Sequence, residues 1–371
     1  MICVKTVLND TFLKSETQKI LYFKGAMFMK PGCSFLKNSV AIFYSSVFIF
    51  ILFFAFCGDA SSAGEKYDPL AVNEKNKPKI VPLNITDASR SRDIPLLAYL
   101  PMETSPAPVV LFSHGLGGSN AGCAYLGEHW ARRGYAAVFI QHPGSDTSVW
   151  KGKALSGRKE ALEDAASMKN FMLRIKDVPA VLDALEKWNK TSGHALCGRL
   201  DTGHIGMSGH SFGALTTQAV SGQSYRLGGQ NFTDPRIGAA VMFSPSSPRR
   251  GGLTAEKSFG GVKIPWMLMT GTKDVAAIGN TDLESRLAVF PALPPGNKYE
   301  IVLFEAEHLA FSDRAIAGSS SKRNPNHHKV ILGLSTAFWD ACLRGDTSAK
   351  AWLDGIGPQT ILEKNDRWRK K

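Results

Sequence analysis

The chain has 371 residues, of which 44% are hydrophobic and 20% charged, a composition that allows a large buried core and excludes wholesale disorder. Its 44 Lys and Arg residues outnumber its 32 Asp and Glu residues, so the formal net charge is +12. The excess is spread along the chain and is concentrated only in residues 367–371. Because no element carries a basic stripe, nucleic-acid binding is not predicted.

The first feature along the chain is an almost unbroken apolar run over residues 40–57, with lysines before it and small residues up to Ala63 after it. This order is typical of a secretory signal, so we expect cleavage near Ala63 and export to the periplasm or the medium. An uncleaved membrane anchor is the alternative, since the run just reaches the length of a span. The long stretch before the run suggests that translation starts at Met27 or Met29. The predicted organisation is an N-terminal extension and signal peptide over residues 1–63, a linker over 64–79 and one domain over 80–371.

Short apolar segments that alternate with amphipathic segments follow. Strands are predicted over residues 80–86, 94–100, 108–113, 135–140, 202–207, 236–243, 264–270 and 299–304, the last of these being the final strand. The first two flank a charged turn and predict an antiparallel hairpin. The others are continuous apolar runs, which are typical of parallel strands covered on both faces.

Helices are predicted over residues 121–133, 177–188, 214–221 and 329–343, with Asp177 as the N-cap of the second. Strands that alternate with helices over this length predict a single α/β domain, with a mostly parallel central sheet and helices on both faces. Residues 145–176 are longer than a plain crossover needs, so they are predicted to pass over the carboxyl edge of the sheet. Trp150, Phe171 and Met172 in this excursion either line a substrate pocket or belong to the core.

Cysteines are few beyond the leader: only Cys123, Cys197 and Cys342. An odd number without paired spacing excludes a dense disulfide framework and a cysteine-rich zinc site. Free thiols are favoured, and one disulfide among the three is the alternative.

The sequence Gly209-x-Ser211-x-Gly213 lies between a predicted strand and a predicted helix. This context is typical of a nucleophile elbow, a tight turn that pushes its Ser out over the end of a sheet. Gly is needed on both sides because a side chain there would collide with the neighbouring strand or helix.

Two further polar residues follow strands at the edge where reacting groups gather in open parallel sheets. Asp274 follows the strand over 264–270 and His308 follows the strand over 299–304. In this arrangement His308 would take the proton of Ser211 as general base, and Asp274 would orient the imidazole. The alternatives are Asp282 and Glu284 in place of Asp274, and His327 and His328 in place of His308.

A glycine-rich loop, which contains Gly115 and Gly117, follows the strand over 108–113. The backbone N–H groups of Leu116 and Phe212 are predicted to donate to a developing oxyanion. A phosphate-binding loop is disfavoured because no Gly-Lys-Ser/Thr follows and the spacing is not GxGxxG. His114 and His210 flank the loop and the elbow, where they are expected to have supporting roles.

These motifs resemble one branch of the α/β-hydrolase superfamily, which contains dienelactone-hydrolase-like proteins and the platelet-activating factor acetylhydrolases. The resemblance covers about residues 80–345 and includes four further motifs: Asp87-Ala-Ser-Arg90, Arg92-Asp-Ile-Pro95, Gln141-His-Pro-Gly-Ser-Asp146 and Glu305-Ala-Glu-His308. It implies a Ser-Asp-His esterase of the α/β-hydrolase fold that needs no cofactor or metal and acts on short or activated acyl esters. Ser211 stands where the true dienelactone hydrolases carry Cys, which argues against a lactonase.

The functional hypothesis is therefore an exported serine hydrolase that cleaves small-molecule or lipid-like carboxylic esters through an acyl-enzyme on Ser211. Membrane contact is expected only through an uncleaved leader. The alternative from another class is a non-catalytic binding protein on a hydrolase scaffold. Within enzymes, a phospholipid acetylhydrolase, a polyester hydrolase, a thioesterase and an amidase stay open, because the same three residues serve all of them.

Overall fold

A mixed sheet of nine strands organises the part of the chain that the structure describes, in the order β1-β2-β4-β3-β5-β6-β7-β8-β9. The structure is a computed structural model, and it describes residues 66–225, 231–248, 253–279, 281–313 and 324–371. The predicted signal peptide, its membrane-anchor alternative and the cleavage position lie outside these residues. Within them, no helix has the length and apolar character needed to cross a membrane.

The strands are β1 Lys79–Asp87, β2 Arg92–Leu100, β3 Ala107–Ser113, β4 Ala136–Ile140, β5 Leu200–His210, β6 Ile237–Phe243, β7 Trp266–Lys273, β8 Lys298–Glu307 and β9 Arg367–Lys370. The helices are α1 Ala124–Arg132, α2 Leu155–Ala165, α3 Met168–Asn189, α4 Phe212–Val220, α5 Ala255–Phe259, α6 Leu283–Leu287, α7 Val289–Ala292, α8 Pro325–Leu343 and α9 Thr347–Asp354. Strands β3 to β8 are parallel, whereas the β1–β2 hairpin and β9 are antiparallel to their neighbours. The predicted α/β class, the mostly parallel sheet and the N-terminal hairpin are confirmed.

Both faces of the sheet are covered, which explains why its central strands are apolar throughout. In β3, Val110 and Phe112 pack in one hydrophobic cluster with α1 and α8, while Val109 and Leu111 pack in another with α3. Because successive side chains of a strand point to opposite faces, a doubly covered strand needs apolar residues at every position.

Two predictions about the elements are wrong: which strand is the last, and where the second predicted helix begins. The strand over residues 299–304 is not the last, because the basic residues near the C-terminus form β9 and pair with β8. The helix predicted to begin at Asp177 begins at Met168, with the Ser167 side chain accepting from the Asn170 N–H as its cap, so Pro179 lies inside the helix. Asp177 is a buried residue within α3 rather than its N-cap.

The residues predicted as a linker contact the domain from Lys66 onwards, where the compact unit begins. The Tyr67 hydroxyl donates to the Asp340 carboxylate over 2.7 Å, and Leu70 packs against the main hydrophobic cluster. The three cysteines of the described chain are free thiols, with Cys123 buried and Cys197 exposed.

Candidate active site

The turn between β5 and α4 holds Ser211 in a conformation that a residue with a side chain rarely adopts, with φ 56° and ψ −114°. Gly209 and Gly213 allow this turn because neighbouring backbone leaves no room for a side chain at either position. A Cβ on Gly213 would lie 1.9 Å from the Ser113 carbonyl oxygen, and one on Gly209 would lie 2.3 Å from the Gly213 oxygen. A strained residue held this tightly is a common feature of functional sites, because the surrounding structure must supply about 1–3 kcal/mol to hold it.

Three of the predicted residues meet at this turn. The Ser211 Oγ lies 2.8 Å from Nε2 of His308, and Nδ1 of the same ring lies 2.7 Å from the Asp274 Oδ1. Asp274 is fully buried, whereas the His308 side chain keeps 16% of its surface exposed. The tautomer with the proton on Nδ1 donates to Asp274 and leaves the Nε2 lone pair to accept from the Ser211 hydroxyl.

The alternative residues lie elsewhere. Asp282 caps α6, where its carboxylate accepts from the Ser285 N–H, and Glu284 lies in the first turn of that helix. The His327 Nε2–H donates to the Phe304 carbonyl over 3.0 Å, and the His328 ring stacks on Tyr125. The structure therefore places His308 in contact with Ser211 and Asp274 in contact with His308. None of the four alternative residues takes either place.

The glycine-rich loop after β3 passes beside Ser211. A Cβ on Gly115 would lie 3.5 Å from the Ser211 Cβ, so the loop is within van der Waals contact of the elbow. Within the described chain, neither the Leu116 N–H nor the Phe212 N–H has a hydrogen-bond acceptor. Both N–H groups are therefore available as donors.

Neighbouring residues hold this loop from its outer side. The Gly117 N–H donates to the Ser145 carbonyl over 2.8 Å, and the Trp150 indole N–H donates to the Gly117 carbonyl over 2.9 Å. Gly117 has a φ of 63°, and a Cβ there would lie 2.6 Å from Leu162. Only glycine fits between the loop and the excursion that covers it.

The two supporting histidines have defined partners. The His142 backbone N–H donates to Nε2 of His114, which leaves the His114 Nδ1–H to donate to the Gly115 carbonyl over 2.7 Å. The His210 Nε2–H donates to the His308 carbonyl over 2.9 Å, and the two rings lie 4.8 Å apart. Burial lowers the pKa of His210 to about 3, so it is neutral at physiological pH. Each histidine therefore holds a backbone carbonyl of the site in place, that of Gly115 for His114 and that of His308 for His210.

A cavity of about 170 Å³ opens at Ser211 and His308. It is lined mainly by small and apolar residues, which include Leu162, Ala276, Ala277 and Ile278, and by Asp313. Trp150, Phe171 and Met172 are not among the described residues that line it. Phe171 belongs to the core and stacks on Phe212, and Met172 packs at the edge of the same cluster. The excursion thus contributes Leu162 to the cavity, and of the two alternatives predicted from sequence, the core holds for Phe171 and Met172.

A buried arginine at the site had no sequence signal. The Nε of Arg286 lies 2.9 Å from the Asp274 Oδ1, and its Nη2 lies 3.1 Å from Nδ1 of His308. Burial alone would raise the pKa of Asp274, but the hydrogen bond from His308 and the charge of Arg286 outweigh it and hold that pKa below its usual value.

A second Ser–His–Asp arrangement lies behind the glycine-rich loop. The Ser113 hydroxyl lies 2.9 Å from Nε2 of His142, whose Nδ1 lies 2.9 Å from the Asp177 carboxylate. All three side chains are fully buried. Burial lowers the pKa of His142 to about 4, so its neutral ring donates to Asp177 and accepts from Ser113.

Two arginines of the β1–β2 hairpin complete this second arrangement. Arg90 and Arg92 donate to the Asp177 carboxylate over 2.8 Å. Burial would raise the pKa of Asp177, but the hydrogen bonds from His142 and Arg92 outweigh it and lower the pKa to about 2. The hairpin motif that carried the family resemblance therefore anchors β1 and β2 to α3.

Arg174 links the second arrangement to the glycine-rich loop. Its fully buried guanidinium donates to the His114 carbonyl over 2.7 Å and to the Ser145 hydroxyl over 2.8 Å. It also lies 4.5 Å from the centre of the Phe212 ring. Burial lowers the pKa of Arg174 to about 9, which leaves it charged at neutral pH.

No protein-family model matches the chain, and no curated protein matches it. Among the described residues, no group of three or more His, Cys, Asp and Glu side chains is arranged to hold a metal ion.

Proposed function

We propose that the protein is a serine hydrolase of the α/β-hydrolase superfamily that cleaves carboxylic esters through an acyl-enzyme on Ser211. One observation carries the proposal. The Ser211 Oγ lies 2.8 Å from a histidine whose other ring nitrogen contacts a buried carboxylate, beside two backbone N–H groups that have no acceptor among the described residues. The parallel sheet and the position of the three residues at its carboxyl edge support the superfamily assignment.

The first half of the reaction uses each of these groups. As the Ser211 Oγ forms a bond to the acyl carbon, His308 Nε2 takes its proton and the carbonyl π electrons move to the oxygen. The N–H groups of Leu116 and Phe212 donate to that oxyanion, and each such donor typically lowers the barrier by about 3–4 kcal/mol. Asp274 stabilises the imidazolium. When the ester C–O bond breaks, the leaving alcohol takes the proton from His308.

The second half repeats these steps with water. His308 removes a proton from the attacking water, the same N–H groups donate to the second oxyanion, and Ser211 leaves with the proton that His308 returns. The products are an alcohol and a carboxylic acid. No step in this sequence requires a cofactor.

The cavity supports a short acyl group. A volume of about 170 Å³ is close to that of an engineered cavity that binds a benzene-sized molecule, on the order of 150 Å³. Its small, apolar lining favours a compact neutral acyl chain. We therefore propose acetyl to butyryl esters as the preferred substrates. Export of the enzyme is proposed from the apolar leader alone.

The test is Ser211→Ala, assayed on p-nitrophenyl acetate and butyrate and with a fluorophosphonate probe, which would phosphonylate the Ser211 Oγ with loss of fluoride. We expect the substitution to abolish labelling and to lower kcat by several orders of magnitude. Ser221→Ala is the matched control, because Ser221 follows the other end of α4 and its hydroxyl donates only to the Thr217 carbonyl.

Two results would contradict the proposal. Unchanged turnover in Ser211→Ala would remove Ser211 from the reaction. A folded wild-type protein that the probe does not label and that cleaves none of the esters would favour a non-catalytic binding protein. A p-nitrophenyl series from acetate to palmitate tests the acyl preference separately, and turnover that rises with chain length would contradict the short-acyl assignment.

A further inference from the structure

Arg286 lies in the short helix α6, and its side chain is almost completely buried. Its guanidinium donates from Nε to the Asp274 carbonyl over 2.8 Å and from Nη1 to the carbonyls of Ser244 and Pro245 over 2.8 and 3.1 Å. Nε also pairs with the Asp274 carboxylate. A single side chain therefore connects the loop after β6, the loop after β7 and the His308 ring.

We propose that Arg286 is a positioning residue that keeps Asp274 ionised and aligned towards His308, so that the enzyme works in acidic solution. This inference rests on the function proposed above and concerns the regulation of the same site by pH.

The geometry gives two reasons. First, the Asp274 Oδ1 accepts from His308 Nδ1 at 2.7 Å and forms an ion pair with Arg286 Nε at 2.9 Å. Because the same Nε–H donates to the Asp274 carbonyl, one side chain holds both the backbone and the charged group of Asp274. Second, little water separates the Arg286 guanidinium from the Asp274 carboxylate, because Arg286 is 2% exposed and Asp274 is fully buried. Their attraction is therefore weakly screened and favours the ionised carboxylate.

The other ionisable groups around His308 do not replace this cation. His210, on β5, is neutral and bonds only to the His308 backbone. Asp313 lines the same cavity, and Glu307 precedes His308 in the chain. Lys273 pairs with Glu305 at the exposed surface. Without Arg286, burial would favour the protonated form of Asp274.

The sign of the effect follows. Asp274 must be ionised to orient His308 and to stabilise the imidazolium, so protonation of Asp274 inactivates the site. Loss of Arg286 removes a cation that keeps the buried Asp274 ionised, so Asp274 takes up its proton at higher pH. The acid limb of the kcat/KM profile therefore moves to higher pH.

The test is the pH profile of kcat/KM for p-nitrophenyl acetate, followed at the wavelength where p-nitrophenol and its anion absorb equally. We expect Arg286→Met to move the acid limb to higher pH by about one unit, which is about a tenfold loss below the limb, while the loss at high pH is smaller. Arg286→Gln, which keeps donors for the carbonyls but no charge, should show the same shift. Arg286→Lys should restore the wild-type limb.

Arg133→Met is the matched control. It removes another largely buried arginine, one that pairs with Asp340 and contacts no residue of the site, so the limb should stay where it is. A purely structural role for Arg286 predicts an equal loss of activity at every pH, and that result in either uncharged variant would overturn the inference. If Arg286→Met does not fold, Arg286→Gln decides. Failure of the proposed function is recognised separately, because the wild-type protein would then resist the fluorophosphonate probe.

Discussion

Arg174 contacts residues of the site but does not line the cavity. Its substitution therefore tests how far the position of the site's backbone affects activity when no cavity-lining side chain is changed. Its guanidinium donates to the carbonyl of His114, directly before the glycine-rich loop, and stacks over the ring of Phe212. One buried cation thus holds the start of this loop and Phe212, which bears one of the two proposed oxyanion donors. We expect Arg174→Met, which fills similar space without donors, to lower both stability and kcat.

The magnitude follows from the bonds lost. The His114 carbonyl and the Ser145 hydroxyl are buried, and leaving a buried polar group without its partner costs about 1–3 kcal/mol each. Part of this cost is offset because a buried charge is removed, so we expect a net loss of about 2–5 kcal/mol in the free energy of unfolding. Complete loss of one oxyanion donor lowers kcat by about 10²–10³. Misalignment without complete loss should lower kcat by about tenfold to a hundredfold, with little change in KM.

The assay combines urea unfolding with steady-state kinetics on p-nitrophenyl acetate. Arg236→Met is the control, since the Arg236 side chain is 25% exposed and pairs with Asp183, Glu186 and Asp234 far from Ser211. It should leave kcat unchanged. If Arg174→Met loses stability as expected and retains the wild-type kcat, the link between this arginine and the proposed oxyanion donors of the glycine-rich loop and Phe212 is refuted.

Two further predictions concern stability. Gly213→Ala would place a methyl group 1.9 Å from the Ser113 carbonyl oxygen, so we expect it to lower the free energy of unfolding in urea by at least about 3 kcal/mol or to prevent folding. Gly157→Ala, whose methyl group meets nothing within 4 Å, is the control and should be neutral. A Gly213→Ala protein with unchanged stability would contradict the close approach. Burial lowers the pKa values of His142 and His210 to about 4 and about 3, below the value of about 6.5 in an unfolded chain. The unfolded state therefore binds more protons, and stability should decrease as the pH falls from about 6.5 towards 4, by about 3 kcal/mol per histidine; equal urea midpoints at about pH 7 and pH 4.5 would show that these rings are not buried in the neutral form.

The candidate site could be predicted from the sequence because each of its residues lies in or directly after a short segment with a recognisable pattern. Glycines flank Ser211 at fixed spacing, and Asp274 and His308 each follow an apolar run, so strand ends alone suffice to bring them together. The structure places the three in contact although Ser211 and His308 are 97 residues apart. Strand β9 escaped prediction because Arg367, Arg369 and Lys370 give it no apolar pattern, and pairing with β8 rather than propensity makes it a strand.

The contacts made by buried charges could not be predicted in the same way. An arginine in a polar stretch ordinarily indicates a solvated surface, yet Arg174 and Arg286 are buried. Their partners lie in distant loops, and nothing local to either residue identifies them. The start of α3 was misplaced for a related reason, because Arg174 and Asp177 interrupt the apolar pattern of a helix whose polar residues point inward.

Strand β9 has a practical consequence for expression of the protein. It covers the free edge of β8, where Trp368 stacks on Tyr299 and Arg369 pairs with the buried Glu300. A truncation before Arg367 would leave the main-chain groups of β8 open to pairing with another molecule, which is a common route to aggregation. β8 ends at Glu307, directly before His308, so loss of its pairing with β9 would also disturb the candidate site. An affinity tag is therefore better fused through a spacer after Lys371 than in place of the final residues.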